Sequence, residues 1–253
     1  TVPSGALNVQ MEVYNRGKRS ITLDLKHPDA VEVMRRLCVW ADVLAENFRP
    51  DVMDRLGFGY EVVSKWNPRI IYASNSGFGP AGEWALRPSY DGMAQAFTGA
   101  LAYNGGGPSH APREVPWVFS DVIGGQNFYG AILAALLARA NGPADGPGQH
   151  VVTSQTAATL FFQRGTLAGV LNTHAGVQND TGETDWQRSP IQQVHRTSDG
   201  KWICASMTQA RQYEAFVVKA LGRPDLMKPA IVSKWPVPSK EDSKWLMKEI
   251  GEV

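Results

Sequence analysis

The sequence has 253 residues, of which 43% are hydrophobic and 19% charged, and this supplies apolar material for one large core or two smaller ones. Lys and Arg total 25 against 24 Asp and Glu, and the two signs are mixed along the chain, so the formal net charge is only +1. This balance argues against nucleic acid or an anionic membrane surface as a partner. The composition is that of a folded globular protein.

The first part of the chain alternates short strand and helix patterns, which indicates an α/β fold. In chain order the predicted elements are a strand at 19–25, a helix at 28–42, a strand at 42–48, two short helices within 51–68, a strand from 69 that runs into a Gly-rich loop, a helix at 90–102, a helix from about 117 to 140, an extended segment at 149–154 and helical sequence at 155–171.

A polar segment after residue 171 separates this part from a second pattern. Residues 191–207 predict two strands joined by a Ser-Asp-Gly turn, and a helix is predicted at 209–221. We therefore predict a large domain over residues 1–183 and the start of a smaller α+β domain over 184–253, with the boundary near 181–187. The sequence does not begin with Met and stops in helix-like sequence, so we expect it to be part of a longer polypeptide.

Cysteine usage and hydropathy predict the compartment. Cys38 and Cys204 lie in apolar sequence without metal-ligand spacing, which favours thiols in a reducing cytoplasm. We identify no apolar run of membrane-spanning length and no secretion signal, so we expect a cytoplasmic protein with no membrane partner. The five histidines are scattered, and no metal site is predicted.

Two segments invite a functional interpretation. "GFGPAG", residues 77–82, has dinucleotide-binding spacing, but Pro80 and the sequence that follows do not open a helix, so a mobile lid or a plain surface loop remains. "FSDVIGG" places Asp121 at the start of an apolar helix, where a carboxylate either caps the helix or acts as a nucleophile. Gly124 and Gly125 would let another molecule approach closely.

Five separated blocks resemble, in this order, the family III CoA-transferases: "NRGKRSITLDLK", "ADVLAENFRPDVMDRLGFGYE", "NPRIIYASNSGFGPAGE", "SYDGMAQAFTG" and "SDVIGGQNFYGAILAALLARANGPADGPGQHV". The resemblance implies a Rossmann-like large domain with a smaller α+β domain, in a homodimer whose chains interlink like rings. It also implies that this sequence lacks the family's first strand and helix and most of its later region.

The resemblance further implies the substrates and the roles of individual residues. The substrates are an acyl-CoA thioester and a carboxylic acid, with coenzyme A carried as part of the substrate and no metal or redox cofactor. Asp121 corresponds to the nucleophile, Tyr90 and Asp91 lie near the thioester, and N–H groups near Gly124 and Gly125 would stabilise an oxyanion. The residues that correspond to CoA-binding positions are Leu23, Asp24, Leu25, Lys26, Asn47, Phe48, Arg49 and Arg55.

Two alternatives stay open. A 2-methylacyl-CoA racemase on the same fold needs a histidine just before Asp91, paired with Asp121, to move the α-proton. Residue 90 is a tyrosine, and a phenol is a poor base near neutral pH, so transfer is favoured. The other alternative is a non-catalytic CoA-binding subunit, against which the presence of Asp121 argues.

Overall fold

The structure is a computed structural model that describes residues 9–144, 146–173, 190, 192–236 and 238–251. The described residues form two compact units, one from residues 9–74 and 131–151 and the other from 75–130 and 152–251. The domain boundary predicted between residues 183 and 184 lies outside the described residues and stays a prediction.

The first unit contains a parallel strand pair flanked by short helices. Val43 of β1 pairs with Ile71 of β2, and the parallel register continues to Glu46 opposite Ser74, as the strand and helix alternation predicts. The elements in this part of the chain are α1 (Val9–Tyr14), α2 (Ala30–Trp40), β1 (Val43–Glu46), α3 (Val52–Arg55), α4 (Tyr60–Trp66) and β2 (Ile71–Ser76).

The core of this unit lies between α2, α4 and β2. Its buried residues are Cys38, Val63, Ile70 and Tyr72. The Tyr72 hydroxyl donates to the Phe58 carbonyl oxygen at 2.9 Å, so this buried phenol is hydrogen-bonded as burial requires. Burial also raises the pKa of Tyr72.

The later elements are mostly helical. A third strand, β3, completes the sheet in the order β1-β2-β3, and β4 and β5 form a separate antiparallel pair. The elements are α5 (Asp91–Phe97), α6 (Ala100–Gly105), α7 (Phe119–Asn141), β3 (Gln149–Ser154), α8 (Gln155–Phe162), α9 (Arg164–Thr173), β4 (Gln192–Arg196), β5 (Trp202–Ser206), α10 (Ala210–Glu214, continued by a π-helical turn, Ala215–Ala220), a 3₁₀ turn (Pro224–Leu226), α11 (Pro229–Val232) and α12 (Lys240–Gly251).

A second core belongs to the carboxy-terminal elements from β5 to α12. The Tyr213 ring is fully buried and stacks on Trp235 with a centroid distance of 4.3 Å. Its hydroxyl donates to the Leu226 carbonyl oxygen at 2.5 Å. The buried residues of this cluster are Ala205, Met207, Tyr213, Val217, Leu226, Ile231, Leu246 and Ile250.

Three predictions from sequence patterns are corrected. Residues 19–25 form no strand, and Ile21 is 65% exposed, because apolar alternation produces a strand only where a neighbouring strand edge accepts it. The helix predicted at 90–102 is two helices, since Gly99 takes a φ of +78° and breaks the helical hydrogen bonding between them. The helix predicted at 209–221 changes to a π-helical turn from Ala215.

The expectation that no segment could span a membrane is also wrong by the criteria of length and composition. Helix α7 has 23 residues and a mean hydropathy of 1.2 over its most apolar window, and little of that window is buried. Core helices of soluble proteins meet the same criteria, so the helix alone does not place the chain in a membrane. Its polar first turn, which carries Asp121, is described next.

Candidate active site

Asp121 lies in the first turn of α7 and is exposed to solvent. The helix begins at Phe119, so Asp121 is its third residue and not the capping residue that the sequence pattern allowed. Trp117 and Val118, just before the helix, have φ values of 67° and 48°. These left-handed conformations cost about 1–3 kcal/mol each for residues with a Cβ, a strain that is common at functional sites.

The cap of α7 comes from a distant residue. Asp91 Oδ1 accepts the backbone N–H of Ser120 at 2.6 Å and that of Asp121 at 3.2 Å. A carboxylate at this end of a helix pairs otherwise free N–H groups and interacts favourably with the helix dipole. Asp91, half-buried at the start of α5, therefore holds the first turn that carries Asp121.

A fully buried glutamine, Gln95, orients Asp91 in turn. Its Nε2 donates to Asp91 Oδ2 at 2.7 Å and to the Val115 carbonyl oxygen at 3.0 Å. Its Oε1 accepts the Val115 N–H at 2.8 Å. Because both ends of this amide are paired, Gln95 links α5 to the segment that leads into α7 without a buried unsatisfied group.

A second glutamine contacts Asp121 itself. Gln155, the first residue of α8, is 8% exposed and donates a short hydrogen bond from Nε2 to Asp121 Oδ1. Ser89 Oγ donates to Gln155 Oε1 at 2.9 Å. The start of α8 is secured by Ser154, whose Oγ accepts the Ala157 N–H at 3.2 Å. Residues far apart in sequence thus hold one oxygen of the carboxylate.

The surroundings raise the pKa of Asp121. Partial burial of the carboxyl group is the largest cause although the residue as a whole is exposed, and the negative charge of Asp91 adds to it. The hydrogen bond from Gln155 opposes both, because it favours the ionised form. The result is a carboxylate that is more basic than an ordinary aspartate.

Gly124 and Gly125 lie inside α7, not in a loop before it. Their N–H groups belong to the helix's own hydrogen bonds to residues four positions earlier, so the oxyanion role predicted for these N–H groups does not fit this geometry. Gly124 is buried instead, and a Cβ there would lie 3.5 Å from Gln155 Cα. Nothing lies within 4 Å of a Cβ built at Gly125.

Tyr90 and the Gly-rich loop belong to the same part of the chain as the residues that hold Asp121. Tyr90 is 76% exposed and provides the N-cap backbone of α5, so its phenol is accessible to a ligand. The Gly-rich loop is held at its base, where the Gly77 carbonyl oxygen accepts the Thr156 N–H at 3.0 Å. Phe78 packs edge-on against Phe97 of α5 with a centroid distance of 5.2 Å.

The residues predicted to bind CoA all belong to the first unit. Leu23 and Leu25 are half-buried, whereas Asp24, Asn47 and Phe48 are exposed. The cations of this set, Lys26, Arg49 and Arg55, are exposed as well, and none of them forms an ion pair within the part of the chain that the structure describes. Unpaired exposed cations of this kind are suited to binding phosphate groups.

The described residues offer no group of metal ligands. Among residues 9–144, 146–173 and the later described segments, no three His, Cys, Asp or Glu side chains lie close enough together to hold a metal ion.

The sequence pattern did not single out Gln155, Ser89 or Gln95. A signal for Gln155 was available, because it is a polar residue at the carboxyl end of a strand, where α/β sheets place their ligand sites. Ser89 and Gln95 carry no such local signal.

Residues 3–244 match the family described as CoA-transferase family III, and the chain belongs to this family, as the sequence blocks predict. The chain is 43% identical over 159 residues to an acetyl-CoA:oxalate CoA-transferase from Acetobacter aceti, which covers 62% of this chain and 40% of that protein. It is 30% identical over 234 residues to the alpha-methylacyl-CoA racemase of Homo sapiens, covering 89% of this chain and 58% of that protein.

A solved structure agrees with this assignment. The crystal structure of a CAIB/BAIF family protein from Brucella suis superposes with a TM-score of 0.71 at 28% identity, over 94% of this chain and 61% of that one. The mixed α/β fold with a parallel sheet is therefore the fold of this family. The chain spans only 40% and 58% of the length of the two curated relatives.

Proposed function

We propose that the protein moves CoA from an acyl-CoA thioester to a carboxylic acid through a covalent intermediate on Asp121. One observation carries the proposal. Gln155 occupies Oδ1 of a partly buried carboxylate, in an exposed residue, whose pKa is raised, while Oδ2 has no hydrogen-bond partner among the described residues. A basic, accessible carboxylate oxygen beside a fixed one is what nucleophilic attack on a thioester requires.

The reaction splits one difficult transfer into simpler exchanges. Asp121 Oδ2 attacks the thioester carbonyl carbon, the carbon–sulfur bond breaks, and a mixed anhydride forms as the CoA thiolate leaves. The thiolate then attacks Cγ of Asp121 and releases the donor acid, which leaves CoA joined to the enzyme as a thioester. The acceptor carboxylate reverses these steps, so that Asp121 is regenerated and a new acyl-CoA departs.

The exposed cations of the first unit support binding of the CoA part of the substrate. Lys26, Arg49 and Arg55 are the residues that would contact its phosphates, with Asn47 and Phe48 beside them. We also propose that the active protein is a homodimer and that it lies in the cytoplasm. Sedimentation at several concentrations tests the dimer directly. A fully active monomer would contradict the dimer.

The covalent step is tested by trapping. The protein is incubated with acetyl-CoA and oxalate, the pair in the name of the Acetobacter aceti relative, and then with succinyl-CoA and other dicarboxylic acids. Hydroxylamine should convert the acylated residue 121 to a hydroxamate that mass spectrometry locates. Asp121→Ala should abolish exchange and labelling and leave the thermal unfolding temperature of the fold nearly unchanged. Active exchange without modification at residue 121 would refute the assignment.

Racemisation is the second candidate, because the human racemase aligns with 89% of the chain. A racemase exchanges the α-proton of a 2-methylacyl-CoA with solvent and needs no acceptor acid. We expect no deuterium at that carbon in D₂O, and Tyr90→Phe should lower transfer by ~10²-fold or less, as for one lost polar contact. Deuterium incorporation that disappears in Asp121→Ala would replace the transferase with a racemase.

A further inference from the structure

We infer that Gln155 is a positioning residue that selects the attacking oxygen of Asp121, and that Ser89 and Gly77 fix Gln155 for this task. The inference rests on the proposed function for its catalytic meaning. The contacts of Gln155 with Asp121 and Ser89 rest on geometry alone, and they lie within one compact unit of the fold.

The direction of the hydrogen bonds determines how the Gln155 amide is turned. An ionised carboxylate can only accept, so the end of the amide that faces Asp121 has to be the NH₂ group. Ser89 Oγ donates at 2.9 Å to the other end, Oε1, and so opposes a flip of the amide. Because Gln155 is 8% exposed, water competes little for these contacts.

Gly77 permits this arrangement. A Cβ at residue 77 would overlap the side chain of Ser89, so a larger residue there would push the hydroxyl away from Gln155. The φ of Gly77 is not in the left-handed region, which means that close approach, and not backbone conformation, requires the glycine. The Gly-rich loop therefore supports the carboxylate indirectly, through Ser89.

The consequence for the reaction follows from which oxygen is held. With Oδ1 bound to Gln155, attack on the thioester falls to Oδ2, and Oδ1 becomes the carbonyl oxygen of the aspartyl anhydride. When the CoA thiolate attacks Cγ, the carbon–oxygen π electrons move onto Oδ1, and the Gln155 N–H group donates to the oxygen where this charge develops. Collapse of that intermediate breaks the bond from Cγ to Oδ2 and expels the donor acid, which carries Oδ2 away as part of its carboxylate.

The test compares Gln155→Met with a matched control, Gln163→Met, in the native polypeptide that carries this sequence. Met keeps the length of the side chain and removes both hydrogen bonds. Gln163 follows the end of the same helix and donates to the Thr159 carbonyl oxygen at 3.3 Å. In single turnovers with acetyl-CoA, formation of the enzyme–CoA thioester at residue 121 should slow by about 10- to 100-fold in Gln155→Met, with little change in the acetyl-CoA concentration that gives half the maximal rate. The control should keep the wild-type rate.

Two further variants keep the inference testable should Gln155→Met not fold. Ser89→Ala is the milder one, because it leaves the Gln155 amide in place without its second partner. Gly77→Ala is harsher, because its Cβ would overlap Ser89 Cβ and would force Ser89 to move. Both should slow thioester formation at residue 121, Ser89→Ala by less than Gln155→Met does. Wild-type rates of this step in every folded variant of Gln155, Ser89 and Gly77 would overturn the inference.

A measurement without turnover separates this inference from the proposed function. Carbon-13 NMR of labelled aspartate follows the titration of the Asp121 carboxyl group, whose pKa the charge of Asp91 also raises. Loss of the Gln155 hydrogen bond should raise the pKa of Asp121, and an unchanged titration would overturn the inference in an active enzyme. A raised pKa in a protein that exchanges no CoA would refute the proposed function and uphold the contact.

Discussion

Asp91 offers the most direct test of how the candidate site is built, through the pair of variants Asp91→Ala and Asp91→Asn. Its Oδ1 accepts two backbone N–H groups of α7, at 2.6 Å from Ser120 and 3.2 Å from Asp121. Ser120 is fully buried, so its N–H group cannot turn to water once the acceptor is removed. Asn keeps an oxygen for these two N–H groups, but it loses the charge and also loses Oδ2, which accepts the Gln95 Nε2 hydrogen bond at 2.7 Å.

The two variants should therefore differ in stability. Loss of a cap costs about 1–2 kcal/mol, and an unsatisfied buried N–H group costs about 1–3 kcal/mol. These figures describe the same loss and do not add, so the cap contributes about 2 kcal/mol. Asp91→Ala also removes the hydrogen bond from Gln95, about 1 kcal/mol, so we expect it to reduce the free energy of unfolding by about 3 kcal/mol. Asp91→Asn should lose the interaction with the helix dipole, about 0.3–1 kcal/mol, and the hydrogen bond from Gln95, about 1 kcal/mol, so its total loss should be the smaller one.

Urea unfolding followed by circular dichroism measures both free energies. Asp24→Ala is the matched control, since Asp24 is an exposed aspartate that accepts one local N–H group, from Lys26 at 3.0 Å. Its effect should stay within ~0.5 kcal/mol. Equal losses in Asp91→Ala and Asp91→Asn would refute the argument that an oxygen at this position caps α7. Both variants should also lower the pKa of Asp121, because the charge of Asp91 helps to raise it.

Three further results are expected. The pKa of Asp121 is raised in the folded state, so its ionised carboxylate destabilises the fold above that pKa. Asp121→Asn should therefore be at least as stable as wild type at neutral pH. In thermal unfolding this difference in stability should shrink as the pH falls below the ordinary range of aspartate. A Cβ at Gly124 makes only ordinary contact with Gln155, so Gly124→Ala should keep the rate of thioester formation at Asp121 and raise the unfolding temperature slightly, because Ala is favoured over Gly inside a helix. Gly124→Leu should slow thioester formation by displacing Gln155, and equal rates in the two variants would contradict this packing. Tyr213→Phe removes the 2.5 Å hydrogen bond to Leu226 and should lower the free energy of unfolding by about 1 kcal/mol in urea without changing CoA exchange.

Local sequence patterns predicted the family, most helices and strands, and the position of Asp121 near the start of an apolar helix. These features depend on residues close together in the chain, such as the period of α2 or the order of the five blocks. Local patterns failed where a distant partner or a single backbone angle decided the outcome. Residues 19–25 alternate like a strand but pair with none, and Gly99 divides one predicted helix into two.

Tertiary structure alone decided how Asp121 is held. Its hydrogen-bond partner, Gln155, is 34 residues away in the chain, and the carboxylate that caps its helix turn, Asp91, is 30 residues away. No periodicity or spacing specifies such pairs, because they form only when separate helices pack and burial excludes water from their polar groups. The sequence therefore located Asp121, the proposed nucleophile, while the packing of α5 and α8 around α7 determined its basicity and which of its oxygens is free.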